Sequence, residues 1–404
     1  MKIVYVVPFV PWEIKVRAFN LIPRLAGRHQ IFLVCVSNRK PSSERELWLR
    51  RYCQEVVHVS HSTWKGIVHC ALALPTRKPL RMAFARSKIA QNVVRELAER
   101  VCPEVLYVER WRTLEFIPPD LKIPMVCDPT DSMSLYNLRL MNAGTWWEKV
   151  LGWEEYGKFS RCEGTLARRG NIVVFCSRLD RDRVRRQAPE VRYELVPNGV
   201  DCSKYSLKHA SEEEDGLIVF TGSLRYRPNR SAVAYFLKQV FPRVREAAPG
   251  AKFRVVGNGA SAALASYRTL PGFEVVDFVP DLRPHLARAA VAVAPLTVGA
   301  GVSNKLGEGF AVGTPVVATP LACGDLPVTS GNELLIGQTA VEFAEHVIRL
   351  LKTATLRRQI ALRARRFIEA YDWEVVTRSM EDLLEQAAVG MACGSRNRVF
   401  SAAD

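Results

Sequence analysis

The residues best placed to do chemistry sit in one glycine-rich run, Gly299-Ala300-Gly301-Val302-Ser303-Asn304-Lys305-Leu306-Gly307-Glu308-Gly309-Phe310-Ala311-Val312-Gly313-Thr314-Pro315. A loop of small residues that opens directly into a helix leaves backbone N–H groups unpaired at the helix start, and such a start attracts phosphate. Lys305 adds a full positive charge. Glu308, three residues on, shares its face of the helix, and a carboxylate can accept two hydroxyl hydrogen bonds at once, as a ribose diol offers. The plain alternative is a surface Lys–Glu pair on a capped helix. A second glycine motif, Gly257-Asn258-Gly259-Ala260-Ser261-Ala262 with Asp277 twenty residues after Gly257, fits a dinucleotide fingerprint. It lies on an interior repeat of its domain, whereas that fingerprint normally sits on the first strand. Asp128 and Asp131 follow the apolar run Met125–Cys127, on the rim where α/β proteins bind ligands; a helix N-cap is the competing role. Arg17 follows the first loop, 8–12, on the same rim. Asp180-Arg181-Asp182 imitates a metal-binding DxD but lies among arginines, where paired surface charges are expected. His58, His61 and His69 have no spacing that would gather them on a metal.

The pattern Gly301-x3-Lys305-x2-Glu308-x2-Ala311-x-Gly313-Thr314-Pro315-Val316-Val317-Ala318-Thr319 resembles the donor-site signature of GT-B retaining glycosyltransferases of family 4 (group 1). Val196–Asp201, Phe220–Leu224 with Pro228-Asn229, Phe253–Gly259, Phe278–Asp281 and Tyr371–Trp373 fall in that family's order, most specifically over 195–375. The style of Gly222-Ser223-Leu224, Pro228-Asn229 and Asn304-Lys305 is similar to the exopolysaccharide and exosortase-associated subgroup. The resemblance implies a nucleoside-diphosphate sugar as donor, with Glu308 on the nucleotide ribose and Lys305 and the helix start on the diphosphate. Gly301, Val302 and Ser303 would line the sugar, and Val279 would lie against the base. Gly222, Ser223 and Gly257 would form the facing loops. It implies retention of configuration without a metal or other cofactor. The sequence departs from the family at Ala300, where many members carry a second glutamate, and at Ser223 and Asn229, where many carry an Arg and a Lys; Arg225 and Arg227 stand nearby as substitutes. The family's acceptor-side histidine is missing, which leaves Asp128 or Asp131 for that place. Two other readings are a nucleotide-binding scaffold without transfer activity and an NAD-dependent enzyme.

These side chains need a scaffold, and the apolar runs supply one. Ile3–Val7, Ile31–Val36, Val56–Val59, Val105–Val108, Met125–Cys127 and Ile172–Cys176 recur in the first half. Leu217–Phe220, Lys252–Val256, Phe273–Val276, Val291–Ala294 and Pro315–Ala318 recur in the second. Continuous rather than alternating apolar runs mark strands buried on both faces, and their alternation with helical pattern predicts two doubly wound parallel-sheet domains. The expected architecture is α/β: two Rossmann-like domains facing across a cleft in the GT-B manner. An acceptor domain spans 1–200, a donor domain 215–370, and a crossover helix at about 371–388 returns to the first. The turn Pro197-Asn198-Gly199 and the acidic run 211–216 read as a solvated linker. In the last helix Val376, Met380, Leu383 and Leu384 form one stripe, and the tail after Ala388 reads as disordered.

The chain of 404 residues carries a formal charge of +16. Residues 1–200 hold 33 Lys/Arg against 20 Asp/Glu, and the remainder is nearly neutral. The basic half, notably 77–100 and 161–192, suits either solvated helix faces or an anionic membrane surface; nucleic acid is not expected, because no aromatic stacking platform accompanies the charge. Ten scattered cysteines without a CxxC pair argue against a disulfide framework. No apolar run is long enough to span a bilayer. The expected setting is cytoplasmic, peripheral on the inner face of a membrane, with a lipid-linked or saccharide acceptor.

Overall fold

The computed structural model describes residues 1–12, 16–143, 146–209, 212–298 and 304–396. The chain forms two compact units, one from residues 1–198 with the segment from Glu374 onward, the other from Gly199–Trp373.

The first unit is built on a seven-stranded parallel sheet: β1 (Lys2–Val7), β2 (Gln30–Ser37), β3 (Glu55–Ser60), β4 (Val105–Glu109), β5 (Met125–Thr130), β6 (Ile172–Phe175) and β7 (Tyr193–Leu195), in the order β3-β2-β1-β4-β5-β6-β7. Val4, Val6, Val34, Leu106, Val108, Cys127, Val173 and Phe175 put side chains into one core between sheet and helices. The second unit repeats the plan with β8 (Leu217–Thr221), β9 (Lys252–Val256), β10 (Phe273–Val276), β11 (Val291–Ala294), β12 (Val316–Ala318) and β13 (Leu335–Ile336), ordered β10-β9-β8-β11-β12-β13 and also parallel. Its core is aromatic: Phe220, Phe236, Phe241, Phe253 and Phe343 are all buried together. In each sheet the first strand lies mid-sheet with the chain winding outward both ways, so the order reverses beside β1 and beside β8. Ligands of open α/β sheets bind at the carboxyl ends of the strands flanking such a reversal.

Three expectations change. The strand Met125–Cys127 continues to Thr130, so Asp128 lies within β5 rather than beyond it. The acidic run is no solvated linker: Glu213 pairs with Lys208 (2.8 Å) and Arg357 (2.5 Å), and Glu214 with Lys252 (2.9 Å) and Arg254 (3.0 Å). The last helix runs Trp373–Arg396, well past Ala388. Its stripe Val376, Met380, Leu383 and Leu384 is buried.

Candidate donor site

The second unit brings Lys305, Glu308 and Gly222 to the reversal beside β8. β8 ends at Thr221 and the chain turns at Gly222 with φ +137°, a conformation that side-chain-bearing residues rarely adopt. A Cβ there would lie 3.0 Å from Lys305 Cε, so glycine also makes room for the lysine. Lys305 comes from the first turn of the helix Asn304–Val312. Its Nζ donates to Asn229 Oδ1 at 3.0 Å and stands 5.2 Å from the centre of the Phe220 ring. Asn229, buried in the helix Arg227–Tyr235, donates in turn from Nδ2 to the Ser223 carbonyl at 2.8 Å. One amide therefore fixes both the lysine and the loop beside it.

The neighbouring loop is locked to this one. Gly222 N–H donates to the Val256 carbonyl and Leu224 N–H to that of Asn258, both at 2.9 Å. A Cβ on Gly257 would lie 2.2 Å from the Gly222 oxygen, so only glycine fits. Ser223 and Arg225 are exposed at the edge, with Arg225 passing over Gly259, while Arg227 is half-buried. Val279, after β10, is half-buried against the cluster that holds Leu306 and Phe310.

Burial sets the electrostatics of the pair. It pushes the Lys305 amine below its ordinary value, while Glu308 pulls it back up. It pushes the Glu308 carboxyl above its ordinary value, and Lys305 pulls that down. A buried ammonium whose burial is only partly offset by the Glu308 carboxylate gains from a further anion such as a diphosphate, and a carboxylate can accept hydroxyl hydrogen bonds. Burial, with the Glu308 charge beside it, also drives the Tyr205 phenol up.

In the first unit the structure separates the two carboxylates. Asp128 is fully buried; Arg17 Nε and the Tyr107 hydroxyl both bond its Oδ2, and Thr130 N–H donates to Oδ1 at 3.1 Å. Arg17 Nη1 also reaches the Pro197 carbonyl and Asn198 Oδ1, each at 3.3 Å. The Asp128 carboxylate is thus occupied by a buried ion pair tying the helix Val16–Ala26 to β5. Asp131, partly exposed, pairs with Arg110 at 3.2 Å. Sequence reasoning missed the rest of this cluster: Tyr5 donates to Glu109 Oε2 at 3.1 Å, and burial, with Asp128 nearby, lifts the Glu109 carboxyl to about 7. Arg110 and Thr130, at the ends of β4 and β5, have φ of +74° and +70°. Such strain in non-glycine residues gathers at functional sites.

Gly301, Val302 and Ser303, with Ala300, lie outside the described residues. The fingerprint Gly257–Ala262 opens a helix of only four residues, Ala260–Ala263, and Asp277 accepts the Ser261 N–H at 3.1 Å. Asp180 is no surface charge: it accepts Ser132 N–H (2.8 Å) and Ser177 Oγ (2.5 Å) inside the unit, while Asp182 pairs with Arg181. His58 bonds Ser37 and His61 the Phe84 carbonyl; with His69 they form no metal-binding group among the described residues.

Residues 215–353, which contain Lys305, Glu308, Asn229 and both glycine loops, match the family described as Glycosyl transferases group 1. The whole chain is similar in fold to Anabaena HepE, solved in complex with UDP-glucose (13% identity, 96% of this chain and 100% of that one, TM-score 0.63). It is also similar to the sucrose-phosphate synthase of Thermosynechococcus elongatus (13% identity, 96% and 99%, TM-score 0.66). WaaG, a glycosyltransferase involved in lipopolysaccharide biosynthesis, matches with 14% identity over 95% and 99% of the two chains, TM-score 0.62. An uncharacterized protein of the cps region of Klebsiella pneumoniae is 20% identical over 361 residues, 87% of this chain and 90% of its own. These likenesses assign the GT-B fold, and over residues 215–353 the chain is similar to the group 1 glycosyl transferases.

Proposed function

We propose that this GT-B glycosyltransferase moves a sugar from a nucleoside diphosphate to a lipid-linked saccharide in polysaccharide assembly, with retention of configuration and without a metal. The carrying observation is the Lys305–Asn229–Gly222 cluster at the sheet reversal of the group 1 domain, with Glu308 one turn on. Lys305 meets the diphosphate and Glu308 the ribose diol. In the reaction the bond between the anomeric carbon and the diphosphate oxygen breaks, and the acceptor hydroxyl oxygen bonds to that carbon. Its proton leaves with the departing phosphate. Negative charge grows on the diphosphate as the bond opens, and a positioned cation there is worth most in the transition state. Arg225 and Arg227 supply further charge at the loop edge, and Asp131 with Arg110 stands on the acceptor side. The UDP-glucose bound by HepE makes uridine nucleotides the first donors to try. A polysaccharide pathway is consistent with the cps-region relative, and the work would be done at the cytoplasmic face of the membrane.

The test is Lys305→Ala beside Glu308→Ala. Lys305→Ala should lower turnover on the order of a hundredfold, and near-normal turnover removes the lysine from the chemistry. Glu308→Ala should chiefly weaken nucleotide binding in titration calorimetry. Donor hydrolysis without acceptor separates an enzyme from a scaffold that only binds.

A further inference from the structure

The helix Thr63–Ala73 is built inside out. A helix on the surface of a soluble domain turns its apolar stripe inward. Here Trp64, Ile67, Val68, Ala71 and Leu72, at i, i+3, i+4, i+7 and i+8, form one stripe, and every one of them is exposed; Trp64 is 74% and Leu72 69% accessible. The inward side is made of Gly66 and Ala73, with His69 and Cys70 half-buried. Gly66 belongs to that packing, because a Cβ there would lie 2.6 Å from the Phe84 ring. Leu74, exposed as well, lengthens the stripe.

The orientation is fixed by polar contacts. Lys158, on the helix Trp146–Ala167, donates to the Ala73 and Leu74 carbonyls at 3.0 and 3.2 Å. Glu155 of the same helix accepts the Leu80 N–H at 2.5 Å. The Lys158 bonds hold the C-terminal end of the 63–73 helix, and the Glu155 bond holds the start of the helix Leu80–Ala85 that follows it. The supporting helix carries an exposed apolar stripe of its own, Trp146, Val150 and Trp153. Its Leu151 lines a cavity of about 210 Å³ together with Cys70, so the two helices are neighbours.

Charge identifies the occupant. From Val56 to Arg95 there is no carboxylate and there are seven Lys/Arg. Lys65, Arg77, Arg86 and Lys88 are exposed, and no salt bridge reaches them among the described residues. A second copy meeting this face symmetrically would set those cations against each other. An anionic bilayer meets all three features: tryptophan at headgroup level, aliphatic side chains at the acyl boundary, and cations among the headgroups. No described helix is long and apolar enough to cross a membrane.

We propose that the outward face of the 63–73 helix, with Leu74 and the cations Lys65, Arg77, Arg86 and Lys88, lies in the headgroup layer of an anionic membrane, the 146–153 stripe touching beside it. This deepens the reading of a lipid-linked acceptor by naming the surface that meets the lipid. The full chain is sedimented with vesicles of phosphatidylcholine alone and of phosphatidylcholine with phosphatidylglycerol. Partition should favour the anionic vesicles and fall with salt. Each of Lys65→Gln and Arg77→Gln should weaken it about fivefold, and Trp64→Ser with Leu72→Ser by more than about tenfold. Equal binding to both vesicle types, or a double variant that partitions like the parent, overturns the proposal. So does a lipid-free dimer, seen in sedimentation velocity, that the double variant abolishes; the face would then belong to a second copy. All four substitutions lie on the exposed surface of the first unit; an unchanged urea midpoint by far-UV circular dichroism reports that this unit stays folded, and the thermal shift on adding UDP reports on the second. That readout uses soluble nucleotide, so failure of the donor reading is told apart from failure of membrane binding.

Discussion

Asn229 is the residue whose importance only the fold reveals. It stands where the resembling family often places a lysine, and here it accepts the proton-bearing Nζ of Lys305 from 76 residues away. Hydrogen bonds to charged groups contribute about 1.5–3 kcal/mol. Asn229→Ala should therefore cost roughly tenfold in kcat/KM. Removing an acceptor that favours the ammonium lowers the lysine's affinity for its proton further. The basic limb of the pH–rate profile should move to lower pH, a shift that a purely structural role for the amide would not produce. Glu109 gives a second test at this scale. Burial lifts its carboxyl from the usual 4.5 to about 7, so the folded chain keeps a proton that the unfolded chain releases. The resulting stability is complete below about pH 4.5 and is lost as pH rises through about 7. Urea denaturation at about pH 5 and pH 8 should show the parent losing on the order of 3 kcal/mol more than Glu109→Gln. Equal pH slopes would mean that the carboxyl is ionised in the fold.

Among the elements, the loops after β8 and β9 depend most on one small residue. With the Gly222 oxygen 2.2 Å from where a Cβ would sit, Gly257→Ala must push the two loops apart. A cost of about 1–3 kcal/mol is expected. It should appear in the melting of the second unit together with weaker nucleotide binding, because the same loop leads to Asn229. Melting unchanged within error would mean that the loops separate freely. The central strands were legible in the sequence because burial on both faces writes an unbroken apolar run. β7 and β13 were not, since an edge strand of three residues and another of two leave too little pattern. The same physics decided the site. Lys305 and Glu308 were recognisable by type and spacing and Gly222 through the family resemblance, whereas Tyr5, Tyr107 and Glu109 are polar groups inside or at the end of apolar strands, and their partners come from other strands. Asp128 misled for a related reason: a polar residue after Cys127 looks like a strand end, yet buried Arg17 lets the strand continue through it. In 161–192 much of the positive charge serves the unit itself. Arg169 donates to the Leu114 and Ile117 carbonyls, and Arg168 pairs with Glu190.

At the scale of the whole chain, the first unit is assembled from both termini and the second is inserted into it. Entry and exit of the insertion are bonded together: Val200 N–H donates to the Tyr371 carbonyl at 3.0 Å, and Trp373 N–H to that of Val200 at 3.1 Å. The 373–396 helix then packs into the first unit, with Met380 and Leu384 fully buried. Its Glu381 lies 2.7 Å from Arg28 Nε and 2.6 Å from His29 Nε2, and Gln386 accepts Arg192 Nη2 at 2.6 Å. Stability of the first unit should thus hang on residues nearly 200 positions beyond its last strand. Met380→Ala and Leu384→Ala should each cost about 2–5 kcal/mol, as large-to-small changes in a core do. Urea unfolding followed by far-UV circular dichroism, with UDP, the nucleotide proposed above for the second unit, added as its reporter, can separate the two transitions. Only the transition of the first unit should move to lower urea, because the inserted unit has closed ends and its own aromatic core. A matching shift in the UDP-reporting transition would show that the helix stabilises the chain as one cooperative body.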